Sequence, residues 1–258
     1  MNKCSLAAGV LAVCSVTASV PVMAQVAAAS AWTVTGNAGL YSDYRFRGIS
    51  QTDKKPAFQG GFDIAHSSGL YVGNWNSNID SAFFGGSNLE MDFYGGYKGT
   101  AAGLGYDVGV LHYYYPNSDR DLPSKIKNTE IYVGTSFGPV SAKLYYPISD
   151  FFSAEDNVGG GDAEGSYYLD LSGAYDLGSG FAVGAHVGYQ KLKGAAKLAE
   201  EDGGLTSSYV DWKLSVAYTF GNGFVAGLAY IDTNRDYLGV GGRKISDSTA
   251  VVSLSKAF

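Results

Sequence analysis

The chain has 258 residues, a formal net charge of −6, only 2 cysteines, and 36 glycines and 20 tyrosines against 6 prolines. The acidic balance excludes a nucleic-acid partner from the first rank of readings. Such tyrosine and glycine usage suits β structure better than helix.

Met1 to Ala24 reads as a cleaved secretory signal peptide. Lys3 is its only charge, an apolar run from Leu6 to Val22 follows, and Val22-Met23-Ala24 offers the cleavage site. Lipoprotein processing at Cys14 is the alternative, but Val13 is too large for the position before that cysteine. Cleavage removes Cys4 and Cys14 together, so the mature part, residues 25–258, carries no disulfide. It also lacks the roughly 18 consecutive apolar residues of a membrane-spanning helix. A barrel strand, however, shows lipid only at every second residue, which halves its hydropathy signal.

From Trp32 onward, twelve segments of alternating apolar and polar residues follow at about 32–44, 56–66, 70–79, 89–98, 104–115, 129–137, 140–148, 166–176, 181–190, 209–220, 224–232 and 248–258. In the tenth, Val210, Trp212, Leu214, Val216, Tyr218 and Phe220 share one face, opposite Asp211 and Lys213. In the third, Asn74, Asn76 and Asn78 share a face. Connections alternate strictly between short glycine-bearing turns, such as Ser67-Ser68-Gly69, Gly138-Pro139 and Gly221-Asn222-Gly223, and long polar loops at about 45–55, 80–88, 116–128, 149–165, 191–208 and 233–247. A soluble sandwich has no reason to sort its loops in this way, whereas an outer-membrane barrel does.

Aromatic placement supports the same reading. Trp32, Tyr71, Tyr97, Tyr106, Phe137, Tyr175, Phe181, Phe220, Phe224 and Phe258 fall at the short-turn ends. Tyr44, Phe58, Tyr114, Tyr146, Tyr167, Tyr189 and Tyr230 fall at the long-loop ends. These form two expected girdles, separated by roughly 20 Å for strands tilted by about 40°, with rings placed at membrane boundaries. The expected fold is therefore all-β: a transmembrane, antiparallel, up-and-down barrel of about 12 strands. The C-terminal strand ends in Phe258, which resembles the signal read by the outer-membrane barrel-assembly machinery, although Lys256 departs from the usual apolar residue.

The residues Tyr41-Ser42-Asp43-Tyr44-Arg45-Phe46-Arg47-Gly48, Gln59-Gly60-Gly61-Phe62-Asp63, Asp92-Phe93-Tyr94-Gly95-Gly96-Tyr97 and Tyr167-Tyr168-Leu169-Asp170 together resemble the TorF-type porins. The resemblance implies an outer-membrane barrel and names no solute.

If the apolar face meets lipid, parity sends Glu90, Asp92, Lys98, Asp107, Glu130, Lys143, Tyr145, Asp170, His186, Gln190, Asp211 and Lys213 inward, to line a hydrated pore. Acidic residues outnumber lysines in that set, which predicts a weak cation preference during passive diffusion of small hydrophilic solutes. The alternative is a network of paired charges that plugs the barrel, leaving an adhesin, receptor or structural protein. Arg45 and Arg47 are expected at the pore mouth, near lipopolysaccharide phosphate or headgroups.

A barrel lipid hydrolase is the least favoured reading. The only His-x-Ser spacing, His66 to Ser68, falls in a short turn. His112 belongs to the lipid-facing parity and His186 faces inward alone, so no metal or other cofactor is implied. The acidic loop Ser149–Gly165 lacks the regular spacing of a calcium loop and reads as a solvated external loop.

Overall fold

A computed structural model describes residues 31–159, 161–199, 204–239 and 241–258. The expected signal peptide lies outside them. The long strands are β1 (Trp32–Tyr41), β4 (Ala57–His66), β5 (Leu70–Asn78), β6 (Leu89–Ala101), β7 (Leu104–Tyr114), β8 (Lys127–Phe137), β9 (Val140–Pro147), β10 (Tyr167–Gly178), β11 (Phe181–Lys191), β14 (Ser208–Thr219), β15 (Phe224–Thr233) and β16 (Thr249–Ala257). Two small hairpins occupy the loops: β2 (Arg45–Phe46) with β3 (Ile49–Ser50), and β12 (Leu198–Ala199) with β13 (Leu205–Thr206). A short helix, α1, spans Ala154–Val158.

The twelve long strands form a closed barrel, each antiparallel to its sequence neighbour, and β1 pairs with both β4 and β16. Reciprocal bonds between Gly36 and Phe258 complete the seam. Closure satisfies the backbone between strands without leaving an edge. The twelve segments expected from alternation correspond one for one to these strands.

Short turns use positive-φ chemistry. Ala102 and Gly103 (φ 52° and 81°) join β6 to β7, and Ser179 and Gly180 (φ 53° and 85°) join β10 to β11. The turn between β6 and β7 is only two residues long because Gly99, Thr100 and Ala101 still pair with Tyr106, Gly105 and Leu104. A Cβ on Gly99 would lie 2.4 Å from the Tyr106 hydroxyl, so a larger residue there would have to push that ring aside.

Strand β8 illustrates the radial order. Ile131, Val133 and Phe137 are exposed on its outer face, while Asn128, Glu130 and Tyr132 are buried on its inner face. Apolar outside and ionisable inside is the reverse of a water-soluble fold, and it is stable only where the surroundings are themselves apolar. The outer face is aromatic near both rims: Tyr97 stacks on Tyr106 and Phe181 contacts Tyr218 at the short-turn end, whereas Tyr167 contacts Tyr189 and Trp212 contacts Tyr230 at the long-loop end. Asn74 and Asn76 also lie on that face, but their amides are spent on Asp92 O, Gly60 O and each other.

Tyr71 is a correction to the expected girdle: it points inward and its hydroxyl bonds to Asp107 and Tyr132. Its neighbours Leu70 and Val72 take the outer parity, and a tyrosine suits either side of the wall. Strand β1 also ends at Tyr41 rather than at 44, because Asp43 and Tyr44 turn into the barrel.

Candidate functional site: the lumen and the hairpin that crosses it

All twelve residues expected to line the pore have inward parity, and tertiary structure sorts them into groups. Near the short-turn half, Lys143 Nζ lies 2.8 Å from Asp107 Oδ2 and over the Tyr132 ring. Lys98 sits over Tyr71. On the adjoining arc, where Asp170 of β10 pairs across from Lys143, His186 is held between Asp170 (3.0 Å) and Asp211 (2.9 Å), with the Tyr168 hydroxyl at 3.0 Å. His186 is therefore not alone, as its isolation in the sequence suggests. Strand pairing brings Lys213 and Asp211 of β14 beside it.

Higher in the barrel, Glu90 accepts hydrogen bonds from the hydroxyls of Tyr44 (2.7 Å) and Tyr115 (3.0 Å). Asp92 Oδ1 and Glu130 Oε1 are buried without a hydrogen-bond partner. Tyr145 packs between Tyr132 and Tyr168. An aromatic wall thus runs through Tyr71, Tyr94, Tyr132, Tyr145 and Tyr168, of which the expected pore-lining set included only Tyr145. Its signal was present in parity, since Tyr132 and Tyr168 are two positions from Glu130 and Asp170 respectively.

The largest departure from expectation is the first long loop. Arg45 and Arg47 are expected at the pore mouth, exposed to phosphate or headgroups, but the inward fold of their loop buries both side chains. Residues 43–52 fold inward around the β2–β3 hairpin. Asp43 accepts from Arg45 Nε (2.6 Å), Ser50 Oγ (2.6 Å) and Thr52 Oγ1 (3.0 Å). Arg45 also donates to the carbonyls of Gly48, Ile245 and Asp247, which ties the hairpin stem to the last long loop. A carboxylate with three donors and a guanidinium with four acceptors make the inward fold of this loop self-consistent in a site shielded from water.

The hairpin turns through Arg47 and Gly48, both at positive φ (47° and 81°). Only glycine fits the second position, because a Cβ on Gly48 would come within 2.4 Å of Thr233 and 2.7 Å of Asp211. The tip thus touches the β14–β15 wall, and Arg47 extends across the lumen. Its Nη1 donates to Gln190 Oε1 of β11 at 2.8 Å and its Nη2 to Glu130 Oε2 of β8 at 2.7 Å. The guanidinium lies 4.3 Å from the centre of the Tyr168 ring, 5.5 Å from Tyr145 and 4.8 Å from Phe46. Phe46 in turn meets Tyr113 and Phe152, the latter brought in by the loop after β9.

The hairpin leaves room on one side. A cavity of about 80 Å³ lies between it and the β14–β16 and β1 walls, bordered by Tyr41, Asp43, Arg45, Gln59, Lys213 and Ser253. That volume holds several waters. Small inner residues, among them Ser215, Gly227 and Ala229, keep this side open, whereas tyrosines fill the other.

The other two histidines make local contacts. His66 Nδ1 is 2.8 Å from Ser68 Oγ and accepts from Ser68 N, a side chain closing its own turn. On the outer face, His112 Nδ1 is 2.9 Å from Thr129 Oγ1.

Solved structures share this architecture. The KdgM porin aligns over 87% of this chain and 98% of that chain, with 9% identity and a TM-score of 0.50. The NanC porin aligns over 88% and 99%, with 10% identity and a TM-score of 0.55. At such identities the likeness establishes the fold, a closed barrel of the outer-membrane porin type. No curated protein matches the sequence. The model of a family described as "Bacterial protein of unknown function (Gcw_chp)" matches residues 25–258, nearly the whole chain, which is a member of that family.

Proposed function

We propose that the protein is an outer-membrane channel for passive diffusion of small hydrophilic solutes, with a weak preference for cations. The observation that carries this reading is the closed barrel whose ionisable residues face inward while its apolar residues face outward. The resemblance to TorF-type porins and the porin-type barrel support it. In this reading the outward aromatics contact lipid and lipopolysaccharide, and the strand ending in Phe258 is what the assembly machinery takes up.

The conducting path runs beside the β2–β3 hairpin, along the small-residue wall. Across the lumen as a whole, Glu90, Asp92, Asp107, Glu130, Asp170 and Asp211 outnumber the inward lysines, and this acidic excess favours cations. The test is the reversal potential in a planar bilayer under a potassium chloride gradient. A potential of cation sign is expected, and clear anion selectivity overturns the preference.

The seating of Arg47 favours a second reading: a barrel closed by its own hairpin, acting as an adhesin, receptor or structural protein. Single-channel steps from the wild-type protein separate the two, because a permanently closed lumen gives none.

A further inference from the structure

Arg47 is an unusual choice for the place it occupies. The first central position of a two-residue hairpin turn with both residues at positive φ favours asparagine, aspartate or glycine, which tolerate the left-handed region, whereas the arginine Cβ is strained there. The hairpin does not depend on this side chain for its stem, which is held by Asp43, Arg45, Ser50 and Thr52 and by Lys54 bonded to Asp247. What Arg47 does is fill a site on the opposite wall.

That site is built for a planar cation. A carboxylate oxygen and an amide oxygen, on β8 and β11, accept from different nitrogens of the fork, and the Tyr168 face lies 4.3 Å from its centre. Bidentate acceptance with stacking on an aromatic face selects guanidinium over ammonium. The cage also holds more acceptor capacity than Arg47 uses: Glu130 Oε1 is buried with no hydrogen-bond partner.

We propose that the cage formed by Glu130, Gln190, Tyr145 and Tyr168 is a recognition site for guanidinium-bearing solutes, with Arg47 as its tethered occupant until such a solute displaces it. The site lies in the lumen, so its use in transport rests on the channel reading, while the binding chemistry stands apart from it. Displacement is an exchange of one guanidinium for another. It frees the hairpin tip from the far wall and widens the path.

The test uses the full chain folded in detergent, with folding checked by heat-modifiable gel mobility. Calorimetry with methylguanidinium chloride should show binding to Arg47→Ala at least tenfold tighter than to wild type, where the tethered side chain competes at high effective concentration. Methylammonium should bind Arg47→Ala at least tenfold more weakly than methylguanidinium. Adding Glu130→Gln to Arg47→Ala should abolish the difference between the two probes. Equal binding of the two probes to Arg47→Ala overturns the proposal.

Should Arg47→Ala fail to fold with Glu130 left uncompensated, Arg47→Gln serves in its place. The wild type gives an independent reading: L-arginine should change the single-channel current at concentrations where L-lysine does not, and equal effects overturn the proposal. Absence of current from every variant refutes the channel reading alone, and the calorimetry still decides the cage.

Discussion

Replacing Val133 with arginine tests the radial assignment on which the rest depends. Val133 lies on the outer face of β8, 54% exposed, between Val108 of β7 and Leu144 of β9, which are exposed on the same face. It is four residues from Phe137 at the short-turn rim. At about 3.3 Å per residue and a tilt of about 40°, that places it roughly 10 Å above the rim, near the middle of an apolar band about 25 Å tall. An arginine there should cost roughly 2–4 kcal/mol, about thirty- to a thousand-fold in the folding equilibrium. The same change at Phe137, at the rim, should cost no more than about 1 kcal/mol. Urea titration of folding into phosphatidylcholine vesicles measures both. If Val133→Arg fell within about 0.5 kcal/mol of wild type, as an ordinary water-exposed surface substitution does, the outer face would not be meeting hydrocarbon.

Other expectations follow from the lumen and loops. Lys143→Met leaves Asp107 without its cation at 2.8 Å, so the reversal potential should move toward stronger cation selectivity; no shift would place the pair off the ion path. Gly188→Ala puts a Cβ 2.0 Å from the Tyr168 hydroxyl and 2.5 Å from Asp211, and should cost roughly 1–3 kcal/mol in the same titration, with Gly173→Ala, whose added Cβ meets only Pro139 O at 3.6 Å, as the mild control. On the loops, the Asp80 carboxyl is held below its ordinary range by a hydrogen bond from Lys55 Nζ at 2.6 Å. A depressed folded value means that the clasp is intact above the unfolded pKa of about 3.9 and is lost as pH falls below it. After correction for intrinsic rates, hydrogen exchange in residues 79–88 should therefore accelerate on acidification through that range, and Asp80→Asn should remove the pH step.

Much of this molecule was legible as a linear pattern. Alternation in the Ser208–Thr219 and Phe181–Lys191 strands marks two faces of opposite polarity, and the sorting of short turns from long loops marks a meander. Strand count, closure and the inward set from Glu90 to Lys213 follow, because a two-residue period leaves each side chain one of only two directions. Where that logic failed, the residue was amphipathic: Tyr71 satisfies either side of the wall, and only its bonds to Asp107 and Tyr132 show which side it took.

The interior of the lumen was decided by contacts between residues far apart in the chain. Arg47 and Glu130 are 83 positions apart, Arg47 and Gln190 are 143 apart, and Arg45 reaches the Asp247 carbonyl across 202. No local period encodes such pairs, and polar residues in a loop read as solvated until a partner is found for them. The sequence by itself therefore determined the wall, since each strand's faces are local properties. Only the tertiary structure decided what stands inside it, because the loop's inward fold depends on buried donors and acceptors meeting across the full width of the barrel.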